Sequence, residues 1–180
     1  VEKIASVIKK FYQYLQDNDL YRYNAASSLQ LPKYDNKKYF SISKQDVKKI
    51  ITYINNLESL KYQTLYYILL HGRRISEVIN LKWSDIDLNK KFYNLHYYQT
   101  KTRKNQQYYL EDFQIAALQK LKELNINTTY VFENNKTKKP ITYTSFFRIH
   151  NKLRTDLNMP DLNIHAIRHL VAFLIVNNGY

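Results

Sequence analysis

Cysteine is absent from the 180 residues, and glycine occurs only twice, at Gly72 and Gly179. Without cysteine there is no disulfide framework, no thiolate zinc site and no cysteine nucleophile. Two distant glycines cannot build a Walker loop or a dinucleotide fingerprint, because each needs several close glycines that let backbone touch phosphate. Long apolar runs are missing too. The longest, Leu170 to Val176, is far too short to span a bilayer. The N-terminus shows no signal-peptide pattern. The simplest compartment is the cytoplasm, with no membrane partner. Acidic residues are also scarce, at 15 against 28 Lys and Arg.

What is present is positive charge and tyrosine. The formal net charge is +13, and each third of the chain carries +4 or +5. The excess is therefore global and not a basic tail. That pattern suits a polyanion, nucleic acid above all, although a basic protein also uses lysine for solubility. The 44% hydrophobic content supplies a packed core. The length fits one domain with part of a second.

Apolar spacing predicts helices over residues 2–16, 44–56, 61–71, 75–81, 111–124, 142–157 and 165–178. Ser43 caps the second, and Thr142 or Thr144 caps the sixth. Gly72 breaks the third, and Pro160 stops the sixth from extending. Residues 21–38 are polar and irregular, as in a linker. Residues 91–99 and 106–110 are tyrosine-rich and partly alternating. They read as an antiparallel hairpin with a basic tip at 100–105. The expected class is α+β, mostly helical, with a small antiparallel sheet.

Three groups of residues carry possible chemistry. Arg73 and Arg74 open a helix, where cations oppose the macrodipole. Such a placement against local preference marks a candidate site. Glu77 lies three residues on and can pin Arg74. A pinned guanidinium with nearby backbone amides makes a phosphate clamp. Alone, the pair is equally a surface ion pair. Lys101, Arg103 and Lys104 sit on the hairpin tip, where a lysine can protonate a leaving oxygen or simply be solvated. His165 and Arg168 open the last helix, and His169 follows. His165 and His169 share metal-ligand spacing, but no adjacent Glu or Cys completes a set. Jointly these cations can surround one phosphodiester, and phosphoryl transfer depends mainly on positioning and electrostatic stabilisation. No carboxylate cluster for a metal is evident, so no metal or other cofactor is expected.

In this order and spacing the motifs resemble those of the tyrosine recombinase (phage integrase) family. The first runs from Leu70-His71-Gly72-Arg73-Arg74-Ile75-Ser76-Glu77 to Leu81-Lys82-Trp83-Ser84-Asp85-Ile86-Asp87. The second is Thr100-Lys101-Thr102-Arg103-Lys104. The third is His165-Ala166-Ile167-Arg168-His169. His71 stands where the family usually carries threonine. Carried over by position, the resemblance implies Arg74, Lys101, His165 and Arg168 as catalytic residues, with Lys104 the runner-up for the lysine. Glu77 and His169 support them, and Arg73, Arg103 and Lys104 are expected to contact DNA. In the family the lysine is a general acid on the leaving 5′ oxygen. The arginines and histidine hold the scissile phosphate.

The resemblance implies a site-specific recombinase or integrase of a mobile element. Its partner is double-stranded DNA, it works as a homotetramer on DNA, and it has no small-molecule substrate. It further implies that residues 1–38 are the last helix of a core-binding domain plus a linker, and that 39–180 are the catalytic domain. Family spacing puts the nucleophilic tyrosine past Tyr180, so no tyrosine of this chain is assigned that role, and the chain alone is expected to bind DNA weakly without cleaving it. The rivals are a type IB topoisomerase, which usually carries lysine at the place of His165, and a DNA-binding remnant without catalysis.

Overall fold

A computed structural model describes residues 2–29, 42–96, 104–168 and 170. The chain divides into two compact units, Val1–Tyr39 and Phe40–Tyr180.

The first unit contains α1 (Glu2–Asp17) and the turn after it. That turn folds back on the helix: Asn24 donates to the Lys9 carbonyl at 3.3 Å, and the Tyr12 and Tyr21 rings lie 6.1 Å apart. Ala5 and Ala26 are buried. The apolar stripe read from the sequence is real, yet much of it faces out: Ile4, Val7 and Phe11 are more than half exposed. Spacing shows that a helix has an apolar face, but not what covers that face.

The second unit holds α2 (Lys44–Asn55), α3 (Leu60–Leu69), α4 (Ile75–Ile79), α5 (Asp112–Leu124) and α6 (Tyr143–Asp156). Ser43 caps α2 through a reciprocal pair: its hydroxyl accepts from Asp46 N at 3.0 Å, and Asp46 Oδ2 accepts from Ser43 N. Thr142 caps α6 by accepting from Ser145 N. Helix α3 is the central element. Leu65, Tyr66, Ile68 and Leu69 are fully buried, so its sequence reads apolar on nearly every side.

Among the described residues the sheet has three strands and not the two of a hairpin. A 3₁₀ turn at Trp83–Asp85 leads into the two-residue β1 (Ile86–Asp87), which pairs antiparallel with β2 (Phe92–Leu95). β2 pairs with β3 (Gln106–Tyr109), Tyr93 opposite Tyr108. A strand of two residues leaves no alternation to read, so sequence patterning misses β1. β3 ends one residue before the expected 110. Residues 97–103 lie outside the described residues, and with them most of the tip.

One core joins these elements. Val78 and Leu81 beside α4, Tyr93 and Leu95 of β2, Phe146 and Leu153 of α6, and Leu162, Ile167 and Leu170 all belong to it. Residues 166–168 and 170 are helical, which agrees with the start of the expected last helix; 171–180 lie outside the described residues.

Candidate active site

Helix α3 ends in a turn closed by His71 N on the Ile68 carbonyl and Gly72 N on the Leu69 carbonyl. Gly72 has φ +71°, the left-handed region, and a β-carbon there would meet nothing within 4 Å. Glycine is therefore required by the backbone and not by crowding. The reversal puts Arg74 at the N-cap of α4.

Arginine is a poor N-cap residue, since it has no side-chain acceptor for the free amides. Glu77 makes up for it. One carboxylate oxygen accepts from Arg74 N at 3.0 Å, and the other accepts from Arg74 Nη1 at 2.9 Å. Glu77 is buried, whereas the Arg74 side chain is 38% exposed. A buried carboxylate thus holds a partly exposed guanidinium by one of its donors. The Arg74 amide, expected to help bind an anion, is instead taken by Glu77.

Arg73 points elsewhere. Its Nε donates to the His71 carbonyl at 3.0 Å, and its guanidinium carbon lies 4.0 Å from the centre of the Tyr108 ring. Its Nη1 also donates to the Tyr108 hydroxyl. The Tyr108 ring packs on Tyr93, and Tyr93 stacks on His71 at 5.9 Å. Burial and the neighbouring Arg73 charge hold the His71 pKa below its usual value. Burial pushes the Tyr93 hydroxyl up out of its ordinary range. This layer of aromatic rings joins the turn before α4 to the second and third strands. Arg73, itself partly buried, braces it through His71 and Tyr108.

The root of the hairpin is fixed as well. Asp85 is buried; one of its oxygens accepts from Lys82 N at 3.0 Å, and the other lies 3.2 Å from His96 Nε2. His96 is the last described residue before the tip. Lys104, on the other side, is exposed. Lys101 and Arg103 lie outside the described residues, as does His169.

His165 is exposed and Arg168 is half-buried. Their turn is closed by Ala166 N on the Asn163 carbonyl at 2.9 Å and Arg168 N on the His165 carbonyl at 3.1 Å. Between them, Ala166 and Ile167 are buried in the same core as Val78 of α4. Among the described residues no three His, Asp or Glu side chains group as metal ligands, and no helix is long and apolar enough to cross a membrane.

Sequence reading missed one pair near the site. His150 of α6 is fully buried; its Nδ1 lies 3.0 Å from the Tyr66 hydroxyl and its Nε2 2.8 Å from the Leu162 carbonyl. The pattern gave one clue, a histidine on the stripe that Phe146 and Leu153 otherwise make apolar.

Residues 41–180 match the family model described as Phage integrase family. A "Probable integrase/recombinase" of Acholeplasma phage L2 is 28% identical over 179 residues, covering 96% of this chain and 61% of the relative. The chain thus spans about three fifths of that relative's length. Among solved structures, the Tn1549 transposon integrase in complex with transposon right end DNA superimposes with a TM-score of 0.76 at 18% identity. It covers 99% of this chain and 67% of that one. A lambda integrase from a tetramer bound to a Holliday junction gives 0.72 at 16% identity, covering 95% and 52%. The overall α+β architecture expected from the sequence is therefore the fold of these integrases. With the family model matching well over half its length, this chain belongs to the phage integrase family.

Proposed function

We propose that the full-length protein carrying this chain is a site-specific DNA recombinase of the integrase type. One observation carries the reading: in a chain of this family, a buried carboxylate pins the partly exposed Arg74 at the α3–α4 corner. Such an arrangement is suited to holding a phosphate oxygen.

Arg74, His165 and Arg168 hold the scissile phosphate, and Glu77 keeps Arg74 in place. A tyrosine hydroxyl attacks the phosphorus and gives up its proton to solvent. The P–O bond to the 5′ oxygen breaks, and that oxygen takes its proton from Lys101, or from Lys104 in its stead. The product is a 3′-phosphotyrosyl link that conserves the bond energy until a second 5′ hydroxyl reverses the step. Positive charge around the equatorial oxygens supplies the stabilisation, and the scheme needs no cofactor. Arg103 and the remaining basic surface contact the backbone of double-stranded DNA. Residues 1–38 end a core-binding domain and its linker, and 39–180 belong to the catalytic domain. Four protomers act together on DNA in the cytoplasm of a bacterial host, and the protein serves a mobile element.

The test uses full-length protein and a nicked duplex that traps the covalent adduct. An adduct, together with strand exchange between two DNA sites, is the expected result. Supercoil relaxation without exchange would mark a topoisomerase instead. DNA binding with no adduct would mark a non-catalytic remnant.

A further inference from the structure

The fully buried His150 makes two contacts that reach in opposite directions. Its Nε2 faces the Leu162 carbonyl, so that nitrogen carries the hydrogen and donates. Its Nδ1 is then the acceptor for the Tyr66 hydroxyl. Tyr66 sits on α3, the helix whose end turns at Gly72 into Arg74. Leu162 lies three residues before His165, in the segment that follows α6.

An imidazole is thereby fixed between the two chain segments that carry Arg74 and the His165–Arg168 pair. Apolar packing alone would hold these segments less specifically, because it is tolerant of small slides. Two hydrogen bonds at fixed angles are not. One neighbouring anchor is local: Ala166 N is held by both the carbonyl and the side chain of Asn163. The bond from His150 to Leu162, together with that from Arg154 to the Pro160 carbonyl, ties this turn to α6. The ring also packs on Tyr66 and Phe146, with centroids 6.1 Å from each. It therefore has little freedom to follow if either segment shifts.

We propose that His150 is a positioning residue: by bonding the Tyr66 hydroxyl and the Leu162 carbonyl at once, it sets the spacing between Arg74 and the His165–Arg168 turn. This rests on the functional reading above. It assigns the buried pair a task beyond filling the core: a matched apolar pair would fill the same space, leaving only the Leu162 carbonyl without its donor.

That equivalence supplies the test. In the full-length protein, the double variant Tyr66→Phe with His150→Leu removes both polar groups and leaves none unpaired on the two side chains. A merely structural pair would give wild-type cleavage in this variant. The positioning role gives a duplex affinity close to wild type and a melting temperature lowered only by the unpaired Leu162 carbonyl, with formation of the covalent adduct slower by about tenfold or more. His150→Gln retains a donor for Leu162 and restores at least part of the rate. Hydrogen exchange at the amides of Ala166, Ile167 and Arg168, read in the 180-residue chain, tests the tether without any activity. These amides exchange faster in the double variant while those of α5 do not. Wild-type cleavage and unchanged exchange in the double variant would overturn the proposal. If the wild-type protein itself forms no adduct, the recombinase reading fails, and exchange alone decides whether the tether exists. Should the double variant not fold, His150→Gln and Tyr66→Phe, each read for exchange and cleavage, decide instead.

Discussion

The corner that carries Arg74 is fixed by its own sequence neighbour, whereas the turn that carries His165 and Arg168 is tied to the helices by a distant one. Glu77 reaches Arg74 across one turn of chain, with two hydrogen bonds from a single carboxylate. Leu162 is reached by His150 from α6, and His150 in turn by Tyr66, 84 residues away. A local brace forms as soon as its turn forms. A tertiary tether exists only when three elements are already packed. The first arm should therefore keep its geometry under stress that disturbs the second.

The largest effect is expected from breaking the local brace. Glu77→Ala leaves the Arg74 amide without its partner and releases the guanidinium. Stability should fall by about 2–3 kcal/mol, and adduct formation by on the order of 100-fold. Urea unfolding and single-turnover cleavage read the two losses separately. Glu77→Gln keeps the amide acceptor but not the charge, so it should recover more stability than cleavage.

Acid should strain the second arm next. Burial first, then the nearby Arg154 charge, lower the His150 pKa to about 4, against the bond to Leu162 that raises it. The unfolded histidine titrates near its ordinary 6.5. Between these values the unfolded chain binds a proton that the folded chain refuses. Stability is thus fully present above pH 6.5 and is lost as pH falls toward 4. From pH 7.5 to 5 the loss from this group is about 2 kcal/mol. His71, lowered mainly by burial, acts in the same direction. Unfolding measured across this range should be markedly flatter for the Tyr66→Phe, His150→Leu variant. An equal slope would show that His150 is not the group responsible.

A smaller effect is expected at Arg73. Its contacts with Tyr108 join the Arg74 turn to the third strand, so Arg73→Ala should cost about 1 kcal/mol. Duplex affinity at moderate salt should change little, because the guanidinium is engaged by the His71 carbonyl and Tyr108. A steep loss of affinity with a reduced salt dependence would return Arg73 to the DNA surface, as the sequence alone led one to expect.

The same contrast explains what was legible in the sequence. The Arg74–Glu77 pair was readable because three-residue spacing is a local signal, and the caps at Ser43 and Thr142 were readable for the same reason. The pairing of β2 with β3 followed from alternation and a basic turn. The Tyr66–His150–Leu162 chain was not readable, since no spacing rule links positions joined only by tertiary packing. β1 was too short to carry a period. The contact of Arg73 with Tyr108 was not readable either, since the two lie 35 residues apart on different elements. The stripe on α1 was readable as a helix, but its covering was not: Val7 is 67% exposed.

Substituting the two arms one at a time is the most direct test that both grip one phosphate. Arg74→Ala and Arg168→Ala are made in the full-length protein, and trapping of the covalent adduct is compared with duplex affinity. The expected result is that each substitution lowers adduct formation by at least 100-fold, an order consistent with loss of one preorganised donor, while duplex affinity stays within about tenfold. Adduct formation at the wild-type rate in either variant would contradict the assignment of that arginine to the site.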